Sequence, residues 1–163
     1  VMKFISTYFS KVQNYGFSSF ESLDKIYEKL IYNDYELIRV AFKECNRQLK
    51  GKHDCILSGT TLVVVFILGD NLICANVGDS RAILCSEKIV PLSIDHKPDL
   101  LSERERIEKM NGQVSKNHDN SHAEDWQPFR VWVKNQRYPG LAMSRSLGDN
   151  VAQSIGVICD PGQ

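Results

Sequence analysis

The stretch Gly59-Thr60-Thr61-Leu62-Val63-Val64-Val65-Phe66-Ile67-Leu68-Gly69-Asp70-Asn71-Leu72-Ile73-Cys74-Ala75-Asn76-Val77-Gly78-Asp79-Ser80 decides the fold class of this chain. β-Branched and other apolar residues dominate positions 60–68, which Gly59 and the turn signal Gly69-Asp70-Asn71 bound. The apolar run at 62–68 is far shorter than a membrane span and reads as a buried strand. Further strands are expected over residues 71–76, 81–85 and 88–92, separated by Gly78-Asp79-Ser80 and by Ser86-Glu87. Connections this short join antiparallel neighbours, because a parallel crossover needs about a dozen residues or more.

Upstream the periodicity changes to that of helices. Val1, Phe4, Ile5, Tyr8, Phe9 and Val12 repeat on one apolar face, and Gly16 marks a helix stop. A second pattern runs through Leu23, Ile26, Tyr27, Leu30 and Ile31. Asn33-Asp34 interrupts it and is suited to cap a further helix carrying Leu37, Ile38, Ala41, Phe42, Cys45 and Leu49, so one helix and two are both open. Downstream, Ser102-Glu103-Arg104-Glu105 has the pattern of a capping box. The helix it would open runs through Ile107 and Met110 and stops at Asn111-Gly112. Residues 113–127 are polar and aperiodic, and residues 129–133 alternate as a strand. Helices followed by a meander of antiparallel strands argue for α+β layers.

At 163 residues the chain suits one domain with a real core. Its formal net charge is zero with both signs interspersed, which gives no electrostatic case for nucleic acid or an anionic membrane surface as partner. The N-terminus has no signal-peptide pattern. Cys45, Cys55, Cys74, Cys85 and Cys159 are odd in number and scattered without metal or redox spacing, the pattern of reduced, mostly buried thiols. An intracellular location, cytoplasmic or nuclear, is therefore expected.

Four motifs follow one another along the chain: Ser58-Gly59-Thr60-Thr61, Ala75-Asn76-Val77-Gly78-Asp79-Ser80-Arg81-Ala82, Asp95-His96-Lys97-Pro98, and Pro139-Gly140-Leu141-Ala142-Met143-Ser144-Arg145-Ser146-Leu147-Gly148-Asp149. In this order and spacing the chain resembles the metal-dependent protein Ser/Thr phosphatases of type 2C. The resemblance implies an α-β-β-α sandwich of two antiparallel sheets flanked by helices, incomplete in this chain. It also implies hydrolysis of phosphoserine and phosphothreonine in proteins by a metal-activated water, with Mg²⁺ or Mn²⁺ as cofactor and no covalent intermediate. Two or three ions belong to the intact family fold, and weak or no binding is expected of this chain alone.

Residue by residue, the resemblance makes Asp79 a metal ligand, holding a third, weakly bound ion. Taken alone, Gly78-Asp79-Ser80 reads as a hairpin turn. Arg130 falls where many members carry an arginine that meets phosphoprotein substrate, within a flap placed at residues 113–140. Ser58 lacks a nucleophile elbow and a partner base, so its motif is a strand entry. His96 reads as part of a structural turn leading into Pro98, and Asp149 as packing and hydrogen bonding within its own turn. His118, Asp119, His122, Glu124 and Asp125 are types that suit a transition metal. Their segment is polar and aperiodic, and reads as solvated loop.

The family's other metal ligands come from aspartate-rich segments that match nothing here, as do its histidine acid and phosphate-holding arginine. The expectation is a single partial phosphatase domain over residues 1–163, inactive by itself. Two readings stay open: part of an active phosphatase, or a pseudophosphatase or binding module that keeps the scaffold without the chemistry.

Overall fold

A computed structural model of the protein describes residues 23–118 and 126–162. The helix expected over residues 1–12, with its stop at Gly16, lies outside the described residues. Helix α1 (Leu23–Lys52) is one run. The chain passes Asn33-Asp34 without ending the helix, and Tyr35 takes a left-handed backbone there (φ 59°). Leu30, Ile38 and Phe42 share a four-residue row on α1 and are buried, with Tyr27, Ile31, Cys45 and Leu49 at its margins.

This face packs on the hairpin of β2 (Leu62–Leu68) and β3 (Asn71–Val77), through Leu62, Ile73, Ala75 and Val77. The hairpin is antiparallel in register from Leu62↔Val77 to Leu68↔Asn71, with Gly69 at φ 60° in its two-residue loop. Each buried Leu, Ile, Val or Phe side chain here contributes about 1.5–3 kcal/mol. The expectation of a fully buried β2 is corrected: Val65 and Ile67 are exposed, Ile67 at 72 %. Strand geometry sends alternate side chains to opposite faces, and α1 covers one of them.

A two-residue strand β1 (Gly59–Thr60) precedes the hairpin. Beyond it, β4 (Ile83–Cys85) and β5 (Ile89–Pro91) form an antiparallel ribbon whose six residues are all exposed. Cys85 is therefore solvent-accessible, which corrects the expectation of buried thiols at that position. Cys55 is buried, and burial pushes the thiols of the half-buried Cys45, Cys74 and Cys159 up from their ordinary value.

A second core gathers around α2 (Leu101–Lys109) and the antiparallel sheet of β6 (Gly112–Ser115), β7 (Arg130–Val133) and β8 (Pro139–Leu141). Ile107, Val114, Val131, Ala152, Ile155 and Val157 fill it. The expected polar loop after α2 thus begins as a strand, because Val114 buries its side chain while its neighbours bond to β7. The capping box also fails. The helix is capped two residues earlier, at Leu100, without a side-chain hydrogen bond, and Ser102 lies inside it. Asn111 does end the segment in left-handed conformation, at φ 61°. Strand β9 (Leu147–Gly148) pairs antiparallel with β1 and leads into the short helix α3 (Asn150–Gln153). Helices thus cover antiparallel strands on both cores, an α+β arrangement in which every strand-to-strand ladder among the described residues is antiparallel, with one isolated parallel bridge between Arg145 and Ile158.

Candidate functional site

The four motifs converge on the end of β3. Gly78 leaves that strand at φ 100°, and a Cβ there would run into the Thr61 side chain. Only glycine meets both demands. The Thr61 and Ser80 hydroxyls share a hydrogen bond of 2.7 Å, which ties the first motif to the second.

The second motif is then zipped to the third. The Gly78 N–H donates to Nδ1 of His96 at 3.2 Å, and the His96 backbone N–H donates to the Gly78 carbonyl at 3.0 Å. Charge pairs flank this exchange on both sides. Lys97 Nζ sits 2.6 Å from Asp79 Oδ2, and the Arg81 guanidinium grips both oxygens of Asp95 at 2.9 Å. The hydrogen bond from Arg81 lowers the Asp95 carboxyl from its ordinary value. His96 is 6 % exposed, and burial together with the positive charge of Arg145 lowers its imidazole to about 4. It is neutral at physiological pH, with Nδ1 occupied as an acceptor, in keeping with the structural turn read from the sequence.

The fourth motif closes the arrangement from behind. The Ser144 N–H donates to the His96 carbonyl at 2.9 Å, and its hydroxyl to Glu103 Oε2 at 2.6 Å. Arg145 and Arg106 both fork onto the buried Glu103 carboxylate, Arg145 Nη2 at 2.6 Å and Arg106 Nη1 at 2.8 Å. Burial disfavours the Glu103 charge, but hydrogen bonds from Arg106, Arg145 and Ser144 outweigh it and hold the carboxyl well below the usual range. Asp149 is buried at φ 42°; its N–H donates to the Ser58 carbonyl, and its carbonyl accepts from Gln153. Burial pushes its carboxyl upward.

Of the two proposed site residues, Asp79 stands at the mouth of this junction with its side chain 30 % exposed. Arg130 lies in the second core's sheet, where Nη1 donates to the Gly140 carbonyl at 2.7 Å. The segment from Gly140 to Ser144 joins the two places, since its ends bond Arg130 and His96 respectively. His118 is held elsewhere: its carbonyl accepts from Gln113, and its ring meets Trp132 edge-on at 5.9 Å. Asp119, His122, Glu124 and Asp125 lie outside the described residues.

Asn46 and Arg106 escaped the sequence reading, and Glu103 entered it only as part of a capping box. Asn46 continues the buried row of α1, four residues past Phe42, and its side-chain oxygen accepts from the Gly148 N–H at 2.8 Å. A polar residue on an apolar helical row was the available signal. Glu103 and Arg106 carried the spacing of a surface helix pair, which concealed the burial of Glu103.

Among the described residues, no three His, Cys, Asp or Glu side chains come together to hold a metal ion. No helix among them is long and apolar enough to cross a membrane.

Residues 5–162 match the family described as Protein phosphatase 2C. The chain is 47% identical over 116 residues to probable protein phosphatase 2C 73 of Oryza sativa subsp. japonica, covering 66% of this chain and 26% of that protein. It is 40% identical to probable protein phosphatase 2C 72 of Arabidopsis thaliana, over 83% of this chain and 39% of that one. The chain thus spans roughly a quarter to two fifths of these relatives. Its fold is similar to a crystal structure of serine-threonine phosphatase 2C from Toxoplasma gondii, with a TM-score of 0.64 at 17% identity, over 94% of this chain and 52% of that one. Four motifs packed around one glycine, a family match over nearly the whole chain and a shared fold agree: the chain belongs to the protein phosphatase 2C family.

Proposed function

We propose that the protein containing this chain is a Mg²⁺- or Mn²⁺-dependent protein Ser/Thr phosphatase acting on phosphoproteins, and that residues 1–163 form part of its single phosphatase domain, with 113–140 as the flap. The observation that supports this best is Asp79. Its carboxylate projects from a strand end fixed by Gly78, and one oxygen already carries a cation, the Lys97 ammonium, at 2.6 Å. A hard oxygen donor in a position that accepts positive charge suits Mg²⁺ or Mn²⁺. Asp79 fits as one donor of a set and not as a complete cage, since a divalent ion takes about six oxygens.

A bound ion would supply an activated water and offset charge on the phosphoryl oxygens. The chain's own residues position that donor. Gly78, His96 and Ser144 lock the backbone beneath Asp79, and the Arg81–Asp95 pair braces its other side. Arg130, anchored by Gly140, is the residue assigned to phosphoprotein substrate.

The test is release of phosphate from a phosphothreonine peptide by the full-length protein across a Mn²⁺ titration, with chelator as control. Asp79→Asn is expected to lower turnover by about tenfold or more while the fold persists. Residues 1–163 alone are expected to release none. Unchanged turnover in the variant would assign Asp79 to the turn alone. Absence of any metal-dependent turnover in the full-length protein would favour the scaffold reading.

A further inference from the structure

We propose that Lys97 is a tethered counter-ion that competes with the divalent cation for Asp79, and so sets the ion concentration at which that position fills. This rests on the reading of Asp79 as a metal ligand. Lys97 Nζ lies 2.6 Å from Asp79 Oδ2, so the ammonium already offsets the negative charge that would draw an ion to this carboxylate. Two positive charges on one carboxylate would also repel each other.

The backbone delivers Lys97 to this position. Its neighbours His96 and Pro98 are both buried, its N–H donates to the Asp95 carbonyl, and its carbonyl accepts from Leu100. Arg81, the nearby cation in the second motif, has Nε and Nη2 on the two oxygens of Asp95. The Lys97 side chain is 41 % exposed and sits on a flexible four-carbon stem, so an arriving ion can displace it toward solvent without disturbing the core. An exposed pair of this kind is weak, which makes the competition modest and the site responsive rather than blocked.

Binding of Mn²⁺ to the full-length protein, read as free Mn²⁺ by electron paramagnetic resonance with no substrate present, tests this directly. Lys97→Met keeps the stem and removes the charge; circular dichroism checks its fold. The weakest Mn²⁺ is expected to bind roughly three- to fivefold more tightly in Lys97→Met, to weaken in Asp79→Asn, and to show no gain when Lys97→Met is added to Asp79→Asn. If Asp79→Asn weakens the ion but Lys97→Met leaves it unchanged or weaker, the competition is overturned while the ligand reading stands. If Asp79→Asn changes no Mn²⁺ affinity, both fall.

Discussion

Gly78 and His96 exchange two hydrogen bonds, the Gly78 amide into the imidazole and the His96 amide into the Gly78 carbonyl, at 3.2 and 3.0 Å. This reciprocal pair makes one rigid unit of two motifs whose glycine and histidine are 18 residues apart. The backbone that carries Asp79 is held by that unit, so its stability should be felt at the site.

Acid should weaken this unit before it unfolds the rest. His96 titrates at about 4 in the fold, against 6.5 when unperturbed. Because the folded value is the lower one, its contribution is fully present above about 6.5 and is lost as pH falls from there toward 4. The full effect is on the order of 3 kcal/mol. Urea unfolding at stepped pH should show that loss. His96→Asn offers an amide oxygen in place of Nδ1 and does not titrate, so it should flatten the curve between pH 6.5 and 4. An unchanged slope would remove His96 as the cause.

Gly78→Ala should destabilise the protein by about 2–3 kcal/mol, from left-handed backbone strain together with collision against Thr61. Thr61→Ser removes the colliding methyl. In Gly78→Ala it should recover part of the contact loss, because Thr61 Cβ still stands 2.9 Å from the added Cβ, and leave the strain, so the double variant falls short of additivity. Thermal melts of the four proteins measure this; strict additivity would mean the two residues do not meet.

Glu103→Ala should be more damaging, about 3–5 kcal/mol, since it strands two arginines that share one buried carboxylate. The same carboxylate sets a second acid limit. Its value is depressed in the fold, so its contribution holds above the ordinary carboxylate value near 4.5 and is lost as pH falls further. Chemical denaturation of Glu103→Ala at neutral pH checks the first point; a loss below 1 kcal/mol would show that the arginines find other partners.

Local pattern was enough for much of the architecture. Two mostly apolar seven-residue stretches, with Gly69-Asp70 between them, specify the β2–β3 hairpin because strand alternation and turn geometry are properties of adjacent residues. Helical spacing likewise marked Ile38 and Phe42 as core, and the spacing of four motifs marked the family. Local pattern misled where a tertiary contact outweighed it. Ser102 has the look of a cap, yet the helix begins ahead of it and Glu103 turns inward to Arg145, 42 residues away. Val65 and Ile67 look like core, but whether a strand's second face is covered depends on what packs there. The motif makes Asp79 a candidate site residue, whereas nothing in it shows the ion pair with Lys97. Each charge looks solvated in isolation, and only the Gly78–His96 lock, formed by folding, brings the ammonium to the carboxylate.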